Sequence, residues 1–297
     1  MTVCGCSIIF TIIWGLKGII AMAIHIITDS TAYLTEKMLQ DEDIRIVPLN
    51  VMLQGRQYRE GIDLNNRECY RIMRSQSVFP TTSQPSVGDF LQAYRSLPPG
   101  AEALVILISS GLSGTWHAAE MAQAMLNRDD VKIHVIDSWS TTIGLALQIM
   151  RVCELRRQGQ GIDAILEELK RIIPKTRIFF VVDNLEYLYR GGRIGPAAKY
   201  FGNMLQIKPV LYIHHGKIDV FDKIRTKHKA VSRIVEAFSD LSPQVEKLAV
   251  THVDAPEEAE ELRQRLAEIY SGSIYLRETG PVIGAHVGPG AVGLAYL

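Results

Sequence analysis

The chain has 297 residues, with 32 Lys and Arg against 32 Asp and Glu, 47% hydrophobic and 22% charged. This is globular composition, not that of a disordered or fibrous chain, and the length suggests about two domains. Zero formal net charge and the lack of any single-sign charge block remove the electrostatic drive toward nucleic acid or an acidic membrane surface. The four cysteines (Cys4, Cys6, Cys69, Cys153) form no C-x-x-C pair. They exclude a disulfide scaffold and a paired-cysteine zinc or redox motif, and they fit a reducing, cytoplasmic setting.

Residues 1–23 differ from the rest, with Lys17 as their only charge. The stretch is barely long enough to span a membrane and carries Lys17 and three glycines. A secretory signal needs an early positive charge, and none precedes Lys17. The expectation is a start assigned too early: Met22 directly precedes the first strand pattern, and the codons for Lys17-Gly18 contain a purine run of the ribosome-binding type.

From there, short β-rich runs alternate with amphipathic stretches. Strands are predicted at 24–27, 46–53, 103–108 and 131–136. Helices are predicted at 67–74, 87–97, 114–126, 141–157 and 162–173. Ser86 and Asp89 make a capping box for the second helix, and Ser113 is a natural N-cap for the third. This βα alternation argues a parallel sheet in an N-terminal domain, 24–174.

After Pro174 the pattern turns mixed, defining a C-terminal α+β domain, 175–297. It reads as a strand at 178–182, a glycine-interrupted helical region at 184–201, and strands at 210–214 and 217–221 around a His215-Gly216 turn. A helix at 227–241, a strand at 248–252, a helix at 256–270 begun near Asp254, and strands at 274–277 and 291–297 complete it.

Several motifs fail on context. Gly288-Pro-Gly-Ala-Val-Gly293 matches G-x-G-x-x-G, but the chain ends four residues later, with no room for the helix and acidic residue of a dinucleotide site. Gly111-Leu-Ser-Gly-Thr115 nearly matches the esterase elbow G-x-S-x-G, with Asp254 and His286 as nominal triad partners, but its last glycine is Thr115. The eight histidines show no metal-ligand spacing, so neither metal nor cofactor is expected.

Hydroxyl density at strand ends is the unusual feature. It occurs at 28–31, 81–86, 109–115 and 137–142. Ligands of open α/β sheets bind outside the carboxyl ends of strands, where helix amino ends favour anions. Each cluster alone reads as an ordinary N-cap. Together they suggest an oxyanion pocket for a phosphate or a carboxylate.

These same segments resemble the DegV family of bacterial fatty-acid-binding proteins. The collinear set is TDSTAYL (28–34), TSQPS (82–86), SSGLSGT (109–115), VIDS (135–138), DNLEYLYRGGRI (183–194), IKPV (207–210) and GAHVGPG (284–290). Residues 1–23 fall outside it. Asn184 and Tyr33 stand where the family has Thr and Asp. The resemblance implies a two-domain DegV-like α/β fold with a long-chain fatty acid between the domains. It implies carboxylate contacts at Thr82, Ser113 and His286, with Arg193 at the mouth or facing a partner. It also implies a non-catalytic carrier that presents the carboxylate to a separate ATP-dependent fatty acid kinase in phospholipid metabolism, with membrane contact at most transient. The charged stretch 223–229 is a candidate dock for that partner. The alternative is a small-molecule hydrolase or phosphotransferase using Ser113 with Asp29 or His286.

Overall fold

A computed structural model describes residues 24–76, 78–199, 208–240 and 244–297. The expectations for residues 1–23 and for the helix ends at 201 and 241 lie outside the described residues. In chain order the strands are β1 (Ile24–Asp29), β2 (Ile44–Val47), β3 (Asn50–Leu53), β4 (Arg56–Arg59), β5 (Thr81–Ser83), β6 (Glu102–Leu107) and β7 (Lys132–Asp137). They continue with β8 (Arg177–Val181), β9 (Lys208–His214), β10 (Lys217–Ile224), β11 (Leu248–His252), β12 (Ile274–Glu278) and β13 (Val292–Tyr296). The helices are α1 (Glu36–Asp41), α2 (Asn66–Gln76), α3 (Val87–Arg95), α4 (Thr115–Met125), α5 (Thr142–Arg157), α6 (Ile162–Ile172), α7 (Glu186–Arg190), α8 (Lys227–Ser239), α9 (Pro256–Ala267) and α10 (Pro281–Val287).

The first sheet is parallel, in the order β2-β1-β6-β7. Every residue of β6 is buried, as a strand covered on both faces requires. Ile26, Leu104 and Ile106 pack against Leu145, Ile149, Ile165 and Leu169 of α5 and α6. Ile27, Val105 and Leu107 pack against Phe90, Tyr94, Ala118 and Ala122 of α3 and α4. The chain moves outward from β1 to β2 and returns to β6 on the other side, which makes the carboxyl ends of β1 and β6 the switch point of the sheet.

Asp29 fastens that point. Its buried carboxylate accepts from the Thr31 amide (2.9 Å), the Thr31 hydroxyl (2.6 Å) and, across the sheet, the Ile108 amide (2.7 Å).

The second sheet is mixed, in the order β10-β9-β8-β13-β11-β12, with only β11 and β12 parallel. Helices α8 and α9 cover one face through Ala230, Ile234, Phe238 and Leu262. The predicted β9–β10 hairpin turns on His215 and Gly216, both at positive φ, as a two-residue hairpin loop needs.

Two expectations need correction. The extended run at 46–53 is two strands in different sheets, because Pro48 lacks the N–H to continue a ladder and β3 turns away to pair with β4 and β5. Ser113 does not cap α4: the N-cap is Gly114, and Ser113 Oγ lies 3.3 Å from the Thr115 amide and 2.8 Å from the Thr115 hydroxyl. The Ser86–Asp89 capping box is present as read. No helix among the described residues is long and apolar enough to cross a membrane.

Asp29→Ala removes the acceptor for two buried backbone donors. It should destabilise the fold by about 1–3 kcal/mol per orphaned donor, read as a lower urea midpoint; an unchanged midpoint would refute the fastening role.

Candidate functional site

The face of the mixed sheet away from α8 and α9 borders a cavity of about 450 Å³. That volume falls in the roughly 300–1,000 Å³ range of small-molecule sites. Its floor crosses the strands: Ile218 on β10, Ile213 on β9, Ile178 and Phe180 on β8, Gly293 on β13 and Thr251 on β11. Ile218 pairs with Ile213, and Phe180, Gly293 and Thr251 are successive cross-strand neighbours. Five adjacent strands leave four gaps of about 4.8 Å, so the floor runs for about 19 Å. Gly293 keeps the floor low beside Phe180, since a Cβ there would meet the Phe180 Cβ at 2.7 Å.

Helix α10 forms another wall through Val282, Ile283, His286 and Val287. It has no side-chain cap of its own, since Gly280 precedes it and Pro281 opens it.

The residues nominated from the sequence all line this cavity: Thr82, Ser113, Arg193 and His286. Thr82 sits on β5, a short strand held by β3. Its hydroxyl is 2.7 Å from His286 Nε2. Gly191 lets His286 approach α7, since a Cβ at that position would lie 2.2 Å from Nδ1. His286 Nδ1 is buried without a protein partner.

Arg193 spans the same edge, donating from Nε to the Leu112 carbonyl (3.1 Å) and from Nη1 to the Gly191 carbonyl (2.7 Å). Ser113 follows Leu112 directly, and the Gln84 amide packs against Gly114, so a Cβ there would force the Gln84 side chain to move. Thr82, Gln84, Ser113, Arg193 and His286 therefore form a continuous polar rim at the β10 side of an otherwise largely apolar trough. Burial, and secondarily Arg193, push the His286 ring down to about 4, so it is neutral at neutral pH.

The arrangement can hold one anionic head between neutral donors and lay an apolar chain along the sheet. A carboxylate placed there would meet hydrogen-bond donors rather than a buried cation. Asp29, nominated as a base for Ser113, is instead engaged with Thr31 and Ile108. Asp254 pairs with Arg74 (2.5 Å), away from His286. Ser113 Oγ has Thr115 as its hydrogen-bond partner, and His286 Nε2 has Thr82. Among the described residues no cluster of three or more His, Cys, Asp or Glu could hold a metal ion. In the 223–229 stretch, Lys227 is turned inward to Asp183 (2.8 Å) and Glu258.

Sequence reasoning missed Gln84, Gly191 and the Thr251–Thr279 hydroxyl pair (2.6 Å) at the far side of the sheet. Gln84 and Gly191 lie inside the motifs at 82–86 and 183–194, but only tertiary contact gives them a place at the site.

Comparison with known proteins identifies relatives of this fold. The family model described as an uncharacterised protein of the DegV family matches residues 23–297. A DegV domain-containing protein of Streptococcus pneumoniae is 36% identical over 281 residues, covering 93% of this chain and 99% of its own length. Among solved structures, the fatty-acid-binding DegV family protein from Thermus thermophilus superposes with a TM-score of 0.84 at 34% identity, over 93% of this chain and 99% of that one. A stearic-acid-binding protein from Eubacterium ventriosum gives 0.86 at 29% identity, over 92% and 98%.

The depressed His286 value has a consequence for stability. The unfolded chain takes up this proton first, so the contribution is intact above about pH 6.5 and is lost as the pH falls toward 4. Between pH 7 and 5 the protein should lose roughly 1–2 kcal/mol more than a His286→Asn variant does, measured by urea unfolding at the two pH values. Parallel losses would show that the ring is not buried as described.

Proposed function

The chain belongs to the DegV family, and on that footing we propose that it binds a long-chain fatty acid across the mixed sheet, with the carboxylate at Thr82, Ser113 and His286 and with Arg193 at the mouth. The observation that carries this reading is the gathering of neutral donors at one end of an apolar trough long enough for an acyl chain. Family members of similar structure are fatty-acid-binding proteins. The chain supplies affinity: about 0.8 kcal/mol per buried methylene gives roughly 11 kcal/mol gross for about 14 methylenes. Lost ligand freedom offsets much of it.

The finer part of the proposal is the role. A carboxylate held by hydroxyls and a neutral imidazole, with Arg193 exposed at the edge, keeps its nucleophilic character and stays within reach of the outside. This suits a cytoplasmic carrier with no catalyst of its own that presents the carboxylate to an ATP-dependent fatty acid kinase. The hydrolase alternative fares worse: nucleophilic catalysis by a serine needs a base in hydrogen-bond reach, and the Ser113 hydroxyl pairs with Thr115.

Oleate titrated calorimetrically into delipidated protein should bind one to one. Thr82→Val and Ser113→Ala should each weaken it roughly tenfold or more, as for a lost hydrogen bond to a charged group. Phosphorylation of oleate should appear only when kinase and ATP are added. Variants with wild-type affinity would displace the carboxylate from this rim, and ester or phosphate turnover by the protein alone would restore the enzyme reading.

A further inference from the structure

The helix that carries His286 is fixed from outside itself. Its first free amides, Val282 and Ile283, find no side-chain cap within the helix. Val282 N–H donates instead to Glu60 Oε1 (2.7 Å), and Ile283 N–H donates to the Tyr33 hydroxyl (3.3 Å). Tyr33 in turn donates to Glu60 Oε1 (3.0 Å), and Ser30 Oγ donates to Glu60 Oε2 (2.6 Å). Ser30 Oγ also accepts the Leu49 amide (3.1 Å), and the Glu60 amide is bonded to the Leu49 carbonyl (2.9 Å).

Glu60 is only 3% exposed, although it follows the polar strand β4. Gly280 is required for the contact: a Cβ there would lie 2.8 Å from Glu60 Oε1 and 2.5 Å from Tyr33 Cε1. An acidic group at a helix amino end is electrostatically favourable, and here it is delivered by a distant part of the chain.

We propose that Glu60, seconded by Tyr33, is a positioning residue of the ligand site: it holds the amino end of α10 and so sets where His286, at the other end of that helix, meets Thr82 and the bound head group. Helix α10 has seven residues, a rigid piece of about 10 Å. Its two ends therefore move together. Glu60 is not among the residues that line the cavity. The proposal rests on the fatty-acid reading only for the identity of the head group.

The charge state of Glu60 gives the device a signature. Burial pushes its carboxyl up to about 7, against the pull of its three hydrogen-bond donors. The titratable groups that face it are Asp29 on β1, Tyr33 after it, and Cys69 and Tyr70 on α2. On the other side of Tyr33, Arg277 of β12 donates to the carbonyls of Tyr33 and Leu34. As an anion Glu60 accepts all three bonds at once. Protonated, it must give up one acceptor site, which weakens the hold on α10.

The test reads His286 and the ligand separately. Histidine-ring NMR of the wild type, Glu60→Ala, Glu60→Gln and Tyr33→Phe follows the His286 titration, while calorimetry gives oleate affinity at pH 6.5 and 8. Glu60→Ala should move the His286 midpoint from near 4 toward the ordinary 6.5 and weaken oleate at least fivefold. Glu60→Gln keeps a carbonyl for the Val282 amide, so it should restore most of both. It should also abolish the Glu60-dependent part of the affinity change between the two pH values. If Glu60→Ala does not fold, Glu60→Gln and Tyr33→Phe decide: Tyr33→Phe should shift His286 in the same direction by less. Variants that lower the melting temperature but leave His286 and oleate at wild-type values would reduce Glu60 to a structural role and overturn the proposal. If the wild type takes up no oleate, the His286 titration still decides the role of Glu60, and the fatty-acid reading fails by itself.

Discussion

A protein interior packs as densely as an organic crystal, and an apolar trough of about 450 Å³ is a departure that the surrounding elements must hold open. The mixed sheet does this by turning a row of aliphatic and aromatic side chains, with a glycine at Gly293, away from its own helices and toward α10. The parallel sheet contributes the carboxyl end of β6 and the Leu112–Gly114 loop at the rim. Asp29 stitches that loop region to β1. The small β4-β3-β5 sheet contributes Thr82 on β5, with Gln84 just after it. Each element is needed because the cavity has no single wall of its own.

Apart from Arg193, exposed at its edge, the rim consists of hydroxyls, an amide and a neutral imidazole, a set that on the proposed reading would hold a carboxylate without fully neutralising it. A buried lysine or arginine would bind more strongly in Coulomb terms but would lose solvation on entry and blunt the nucleophile. Two titrating groups on or behind α10 then act with opposite sign. His286 favours the fold above its ordinary value, since its proton is taken up first by the unfolded chain. Glu60 is raised by burial, so its ionisation costs stability as the pH climbs from about 4.5 to 7. Their overlap over the mildly acidic range flattens the net response of the fold, while each group still acts locally on the helix.

Much of this was legible in the chain because periodicity reports burial. The strand predicted at 103–108 is β6, a continuous apolar run that is buried throughout, and His215-Gly216 announced the hairpin. The hydroxyl clusters at strand ends pointed to what is now the polar edge of the cavity, and the family resemblance singled out Thr82, Ser113, Arg193 and His286, which all line it. Helix α10 was not legible: seven residues containing Gly284 and opened by Pro281 carry too few turns for a pattern. Strand β5 is three polar residues and owes its conformation to β3. Glu60 lies in a charged stretch that reads as solvent-facing, and its burial follows only from the docking of α10 and the Ser30–Tyr33 turn. Pro48, visible in the sequence, broke the expected second strand into pieces belonging to different sheets.

The most direct test of the central claim is native mass spectrometry of the purified chain, beside mass analysis of its organic extract. The account expects a stoichiometric adduct with the mass of one long-chain fatty acid, released intact by solvent. A chain that is recovered empty and stays empty after incubation with oleate or palmitate would contradict it.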